Sequence, residues 1–154
     1  MSDNPTRTNI EELGEFGLID KITQSCSAPR PSAMMGGWDA AAIIQPTDEQ
    51  IVVTSDMLLE GIHFDLAYVP LEHLGYKSVA VNISDIAAMN AIPQQVTVNL
   101  GLSNRFSVEA VEVLYRGIGY ACKNYKVDLV GGDTTSSASG LVISVTALGA
   151  ADSL

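Results

Sequence analysis

Cysteine, cationic side chains and long apolar runs are all scarce in this 154-residue chain. The two cysteines, Cys26 and Cys122, lie far apart and in no CxxC or Cys/His spacing. That excludes a zinc-ligand pattern and a disulfide framework, and leaves two reduced structural thiols as the expectation. Only 8 Lys and Arg stand against 18 Asp and Glu, a formal charge of −10. A nucleic-acid surface needs a basic stripe to displace phosphate counterions, so no nucleic-acid partner is expected. No apolar run approaches the ~20 residues of a membrane span, and the opening MSDNPTRTN is too polar for a signal peptide. The expected location is cytoplasmic, with no membrane partner. GxxxxGK[ST] is missing as well, so any nucleotide chemistry is not of the P-loop kind.

What is present suits one globular domain: 47% hydrophobic and 17% charged residues, and length enough for a single core. Residues 1–9 read as a flexible arm. Asn9 as N-cap, Glu12 three residues on, and Leu13, Phe16, Ile19 and Ile22 near helical spacing predict a helix over about 10–24. SAPRPSAMMGG, with its prolines and glycines, reads as a loop. Two strands are expected between residues 38 and 56, joined by a turn at 46–49. After Pro70 a helix is predicted over about 76–91, ended by Pro93; then come a strand over QQVTVNLGL and an amphipathic helix over 107–125 capped by Ser107. A strand, a polar loop and a strand follow. Helices and strands intermix, which leaves α+β and α/β layer structures open.

The chemistry gathers around residues 51–65. The β-branched run Ile51–Val53 suits a strand, which is read as ending at Thr54, Ser55 and Asp56, with Glu60 and His63 beyond. A strand end that presents hydroxyls and a carboxylate can offer oxygen ligands to a hard cation, and it can equally be a solvated loop. On the next helix Ser78, Asn82 and Asp85 form one narrow polar line among Val, Ile, Ala and Met. GGDTTSS, residues 131–137, pairs glycines that admit an anion to the backbone with Asp133, which can hold a bridging cation; as a pattern it is equally a plain turn. Asp39, Asp56, Asp85 and Asp133 all lack an adjacent Lys or Arg. Brought together, four such acids would repel unless cations held them.

Specific stretches carry a resemblance. GEFGLI (14–19), DAAAI (39–43), VVTSDMLLEGIHFD (52–65), LGYKSVAVNISDIAAMNAIP (74–93), and DLVGGDTTSS with GLVISVTALG (128–149) resemble the N-terminal domain of the thiamine-monophosphate kinase family, within the aminoimidazole-ribonucleotide-synthetase-like ATP-binding superfamily. The resemblance implies an α+β fold with a mixed, mainly antiparallel sheet of about four strands covered by helices, the sheets of two subunits closing a barrel across a homodimer. A small domain's apolar sheet face needs such cover. It further implies a domain spanning 10–154 that binds ATP and Mg²⁺, and phosphorylation of thiamine monophosphate by direct in-line transfer, with no enzyme nucleophile. Asp39, Thr54, Ser55, Asp56, Asp85 and Asp133 would be metal ligands. Gly132, Asp133 and Tyr115 would contact ATP, and His63 the thiamine monophosphate, although a histidine at a strand end is also commonly a hydrogen-bonded structural residue.

Two departures qualify it. The family's Gly-Asp-Asp-Ala-Ala run reads Gly37-Trp38-Asp39-Ala40-Ala41 here, which puts one metal in doubt. The family enzymes also carry a C-terminal domain with further contacts, so turnover by these residues alone is expected to be incomplete. A noncatalytic nucleotide-binding or dimerisation module, and a kinase of the same superfamily with another acceptor, are the competing readings.

Overall fold

The computed structural model describes residue 8 and residues 10–23, 33–35, 43–44 and 50–151. In chain order these form α1 (Ile10–Thr23), β1 (Ala33–Met35), β2 (Ile43–Ile44), β3 (Gln50–Leu59), α2 (Leu71–Ala88), β4 (Ile92–Leu102), α3 (Val108–Tyr125), β5 (Asp128–Ser136) and β6 (Val142–Ala151). The main sheet has the order β3-β6-β4-β5. β6 is antiparallel to both β3 and β4, and β4 is parallel to β5. This is the expected α+β architecture with a mixed, mainly antiparallel four-stranded sheet.

Several boundaries move. The polar triplet Thr54–Asp56 does not end a strand: β3 runs on to Leu59, because β6 offers an unbroken antiparallel ladder from Gln50↔Ala151 to Leu59↔Val142. The GGDTTS segment is likewise strand, paired in parallel register with β4. Pro93 does not end α2, which stops at Ala88; it lies inside β4 beside a register shift, where its missing N–H is tolerated. α2 also starts earlier than expected, at Leu71 after Pro70. Residues 33–35, expected in a loop, pair with 43–44 in a small separate ladder, so β2 partners β1 and not β3. The expected turn at 46–49 lies outside the described residues.

The core follows from alternation along the strands. Val96, Val98 and Leu100 on β4 and Ile143, Val145 and Ala147 on β6 are buried on one face of the sheet. That face is covered by α2 and α3, whose apolar stripes include Leu74, Val79 and Ile86, and Val111, Leu114 and Ile118. Each such side chain removed from water contributes about 1.5–3 kcal/mol. On the other face Ile51, Val53 and Met57 are exposed. Ser107 caps α3 as expected, its Oγ accepting from Ala110 N at 3.3 Å. α1 buries Leu18 and Ile22 and joins α3 through Lys21 and Glu112, 3.3 Å apart.

α2 and α3 touch backbone to backbone. A Cβ on Gly75 would run into the Leu114 carbonyl oxygen, and one on Gly117 into the Glu72 carbonyl oxygen. Gly→Ala inside a helix ordinarily stabilises by up to ~1 kcal/mol. Gly117→Ala is expected to reverse that sign and destabilise by about 1–3 kcal/mol, since backbone on both sides must shift; urea unfolding checks it.

Residues 1–7 and 9 of the expected arm lie outside the described residues, whereas Thr8 is tethered. Its carbonyl accepts from Val108 N at 3.1 Å, and its N–H donates to the Glu109 carboxylate at 3.0 and 3.1 Å. The Thr8 hydroxyl, then the backbone N–H groups of Glu109 and Thr8, hold the Glu109 carboxyl down to about 2. A depressed carboxyl stabilises the fold above its unfolded value of ~4.3, and that contribution is lost as pH falls toward 2. Thermal midpoints of Glu109→Gln are therefore expected to depend less on pH across this window than those of the parent protein.

Candidate metal and phosphate site

The site begins with a buried amide. Asn82 and Ser78, two of the three residues on the polar line of α2, are 0% and 1% exposed. Ser78 Oγ donates to the Gly75 carbonyl at 2.8 Å, and Asn82 Nδ2 to the Ser78 carbonyl at 3.1 Å. That leaves Asn82 Oδ1 to accept from the Asp56 backbone N–H at 3.1 Å. β3 is an edge strand, so some of its N–H groups face away from the ladder. One of these is thereby paired from the helix. Asp85, the third residue of the line, is exposed and accepts from Thr54 Oγ1 at 3.2 Å.

Thr54 and Asp56 lie two residues apart on β3, on the helix-covered face, and Asp85 stands beside them on α2. A carboxylate and a hydroxyl therefore meet at the seam between α2 and β3, with the Asp56 side chain on the same strand face. None of the described ion pairs involves Asp56, Asp85 or Asp133; the acids so engaged are Glu60, Glu72 and Glu112. Hard oxygen donors at the rim of a domain, with room for water, suit a divalent cation that keeps part of its hydration. The donor set fits magnesium, although among the described residues no three acids, histidines or cysteines cluster.

The other expected ligands are placed differently. Ser55 projects to the opposite face, where its Oγ lies 3.0 Å from Thr146 Oγ1 and donates to the Val145 carbonyl at 3.4 Å. Asp133 is on the far edge strand. The register Asp56↔Val145↔Val98↔Gly132 sets it three strands away, roughly 14 Å, and one residue out of step, so its side chain shares the open face with Asn99 and Ser144. Its Oδ1 accepts from Thr134 N at 2.9 Å. Asp39, with Gly37 and Trp38, lies outside the described residues.

Gly132 has a reason of its own to be glycine: a Cβ there would run into the Val98 carbonyl oxygen. Tyr115 is 6% exposed in the core face of α3. His63 is exposed in the turn after β3, where Nδ1 accepts from Leu59 N at 3.0 Å and its carbonyl accepts from Lys77 Nζ at 3.1 Å. Nδ1 being occupied, the free ring nitrogen is Nε2. A cavity of about 510 Å³ opens beside the end of β5, lined by Ile10, Leu18, Leu102 and Phe106 and by the polar Asn104 and Thr134 among others. Sequence reasoning missed this cavity and the Asn82–Asp56 bond. The polar line on α2 was the available signal for the bond; the cavity had none.

The sequence matches the family model AIR synthase related protein, N-terminal domain, over residues 37–151. The chain belongs to this family. Within it, the chain is similar to the thiamine-monophosphate kinase of Synechococcus elongatus, 38% identical over 149 residues that make up 97% of this chain and 42% of the relative. The crystal structure of thiamine-monophosphate kinase from Stenotrophomonas maltophilia K279a superposes with a TM-score of 0.76 at 38% identity, covering 90% of this chain and 42% of that one. A structure described as AaThiL complexed with AMPPCP and TMP gives 0.65 at 33% identity, over 92% of this chain and 43% of that one. The chain thus spans about two-fifths of the length of the kinases it matches.

Asn82→Leu is expected to lower stability by about 1–3 kcal/mol, because it leaves the Asp56 N–H unpaired, and to weaken Mn²⁺ binding, used as a magnesium probe, by about tenfold. Chemical denaturation and titration calorimetry measure the two effects separately.

Proposed function

We propose that this chain is the ATP- and magnesium-handling N-terminal domain, residues 10–154, of a thiamine-monophosphate kinase. The reaction moves the γ-phosphoryl group of ATP onto the phosphate of thiamine monophosphate, giving thiamine diphosphate and ADP. The observation that carries this reading is the Thr54–Asp85 contact at a seam braced by the bond from the Asp56 N–H to Asn82, in a chain 38% identical to a named kinase of this activity.

In-line transfer to a phosphate oxygen needs no enzyme nucleophile, so positioning and charge neutralisation do the work. Thr54, Asp56 and Asp85 would hold magnesium on the helix-covered face, with Asp39, Ser55 and Asp133 as further candidate ligands, and the ion would supply neutralisation of the triphosphate. An acidic protein with few cationic side chains needs that help to approach an anionic substrate. Gly132 and Asp133 on β5 would meet the triphosphate; Tyr115, buried in the core face of α3 and not lining the cavity, is not placed for a nucleotide contact. The cavity at the end of β5, lined by apolar side chains together with hydroxyl- and amide-bearing ones, has the size and chemistry of a nucleoside site. The outward Nε2 of His63 suits a hydrogen bond to thiamine monophosphate. The exposed Ile51, Val53 and Met57 suit closure of a barrel with the sheet of a second copy.

One observation favours a noncatalytic nucleotide-binding or dimerisation module instead: Asp133 stands across the sheet, on the opposite face from Asp56 and Asp85. The test is formation of thiamine diphosphate from ATP and thiamine monophosphate by the full-length protein. Activity should vanish when magnesium is chelated, and Asp56→Asn or Asp85→Asn should lower kcat by about 100-fold or more. Nucleotide binding without product would leave the module reading in place and overturn the kinase.

A further inference from the structure

We propose that Glu60 is a positioning residue for the turn that carries His63, an inference that rests on the reading of His63 as the contact to thiamine monophosphate. Glu60 follows the last residue of β3 and opens the turn. Its carboxylate accepts from Arg105 Nη2 at 2.8 and 2.7 Å and from Leu141 N at 2.8 Å, while its own N–H donates to the Leu141 carbonyl at 3.0 Å. One side chain thus fastens three segments: the His63 turn, the β4–α3 connection bearing Arg105, and the β5–β6 connection ending at Leu141. The side chain of Glu60 is 19% exposed and that of Arg105 59%. A carboxylate so shielded is costly unless charge-assisted donors satisfy it, and here they do.

The segments it joins are shaped to receive it. Arg105 is held by Nε donation to Ser103 Oγ at 3.3 Å and lies 5.7 Å over the Phe106 ring. Gly140, at φ 77°, packs where a Cβ would come within 2.8 Å of Glu60 Oε2. Beyond Glu60 the turn closes on itself, with Gly61 N donating to the Phe64 carbonyl at 2.8 Å and His63 N to the Leu59 carbonyl at 2.9 Å. The bond from Leu59 N to His63 Nδ1 then fixes the imidazole with Nε2 outward. Glu60 touches neither proposed substrate. It acts through the backbone on either side of it, by fixing where the imidazole stands.

The test uses Glu60→Gln and, in case that variant folds poorly, Arg105→Gln, which removes the more exposed partner. Both are to be assayed in the full-length protein with ATP and thiamine monophosphate varied separately. The expected result is a rise of about tenfold in KM for thiamine monophosphate, with KM for ATP and kcat within about twofold. Equal rises in both KM values, or no change in either, would overturn it. A second readout needs no activity: ¹⁵N spectra of the His63 ring should show the Nε2–H tautomer in the parent and a mixture in the variants. An unchanged ring spectrum would sink the Glu60 inference by itself. Loss of thiamine diphosphate formation by the parent protein would instead sink the kinase reading.

Discussion

A buried amide that must find partners for both its ends fixes the geometry on which the candidate site depends. Asn82 has no access to water, so each of its polar atoms left unpaired would cost about 1–3 kcal/mol. Its Nδ2 is satisfied within α2, and its Oδ1 is satisfied from β3. The bond to the Asp56 N–H therefore sets both the depth and the register at which α2 lies against the edge strand. Three residues further along the same helix, Asp85 is carried to the side of Thr54. The Asn82–Asp56 bond and the Asp85–Thr54 bond thus tie α2 to the same three residues of β3.

Local chemistry was legible in the sequence where the signal is local. The Ser107 cap, the span of α3 and the polar line on α2 all depend on residues within two turns of one another, and the structure has each of them. The extent of β3 was not legible. Thr54, Ser55 and Asp56 are poor residues for a strand buried on both faces, but an edge strand gives them solvent and a helix side chain, and that tolerance depends on β6, some 90 residues on. The same is true of Gly132, whose missing side chain answers to the Val98 carbonyl across a ladder fixed by tertiary register. Glu60 and Arg105 are 45 residues apart, and no spacing rule links them.

The acids divide by role. Glu60, Glu72 and Glu112 each find a cation, Arg105, Arg116 and Lys21, and these pairs brace loops and helices. Asp56 and Asp85 enter none of the described ion pairs. With 8 cationic side chains against 18 acidic ones in the whole chain, protein cations cannot neutralise the chain's own acids, let alone a bound triphosphate. Two aspartates with no cationic partner among the described residues, on facing elements of a chain so short of lysine and arginine, are the acids to which the proposed cation is assigned.

Sheet order limits what one copy can assemble there. Asp56 and Asp133 occupy opposite edges and opposite faces of one sheet, and no side-chain motion carries a carboxylate through a layer of paired backbone. A single cation on Asp56 and Asp85 is within reach of this chain, whereas a site that also used Asp133 would need the sheet to meet something beyond itself. The open face offers the means: it bears Ile51, Val53 and Met57 exposed at one edge and Asn99, Ser144 and Asp133 toward the other. Closing that face against a second sheet would bury the apolar edge and move Asp133 from open solvent to a rim. The separation of Asp56 from Asp133 is thus a consequence of one topology, in which β6 is inserted between β3 and β4 and leaves β3 and β5 as the two edges of the described sheet.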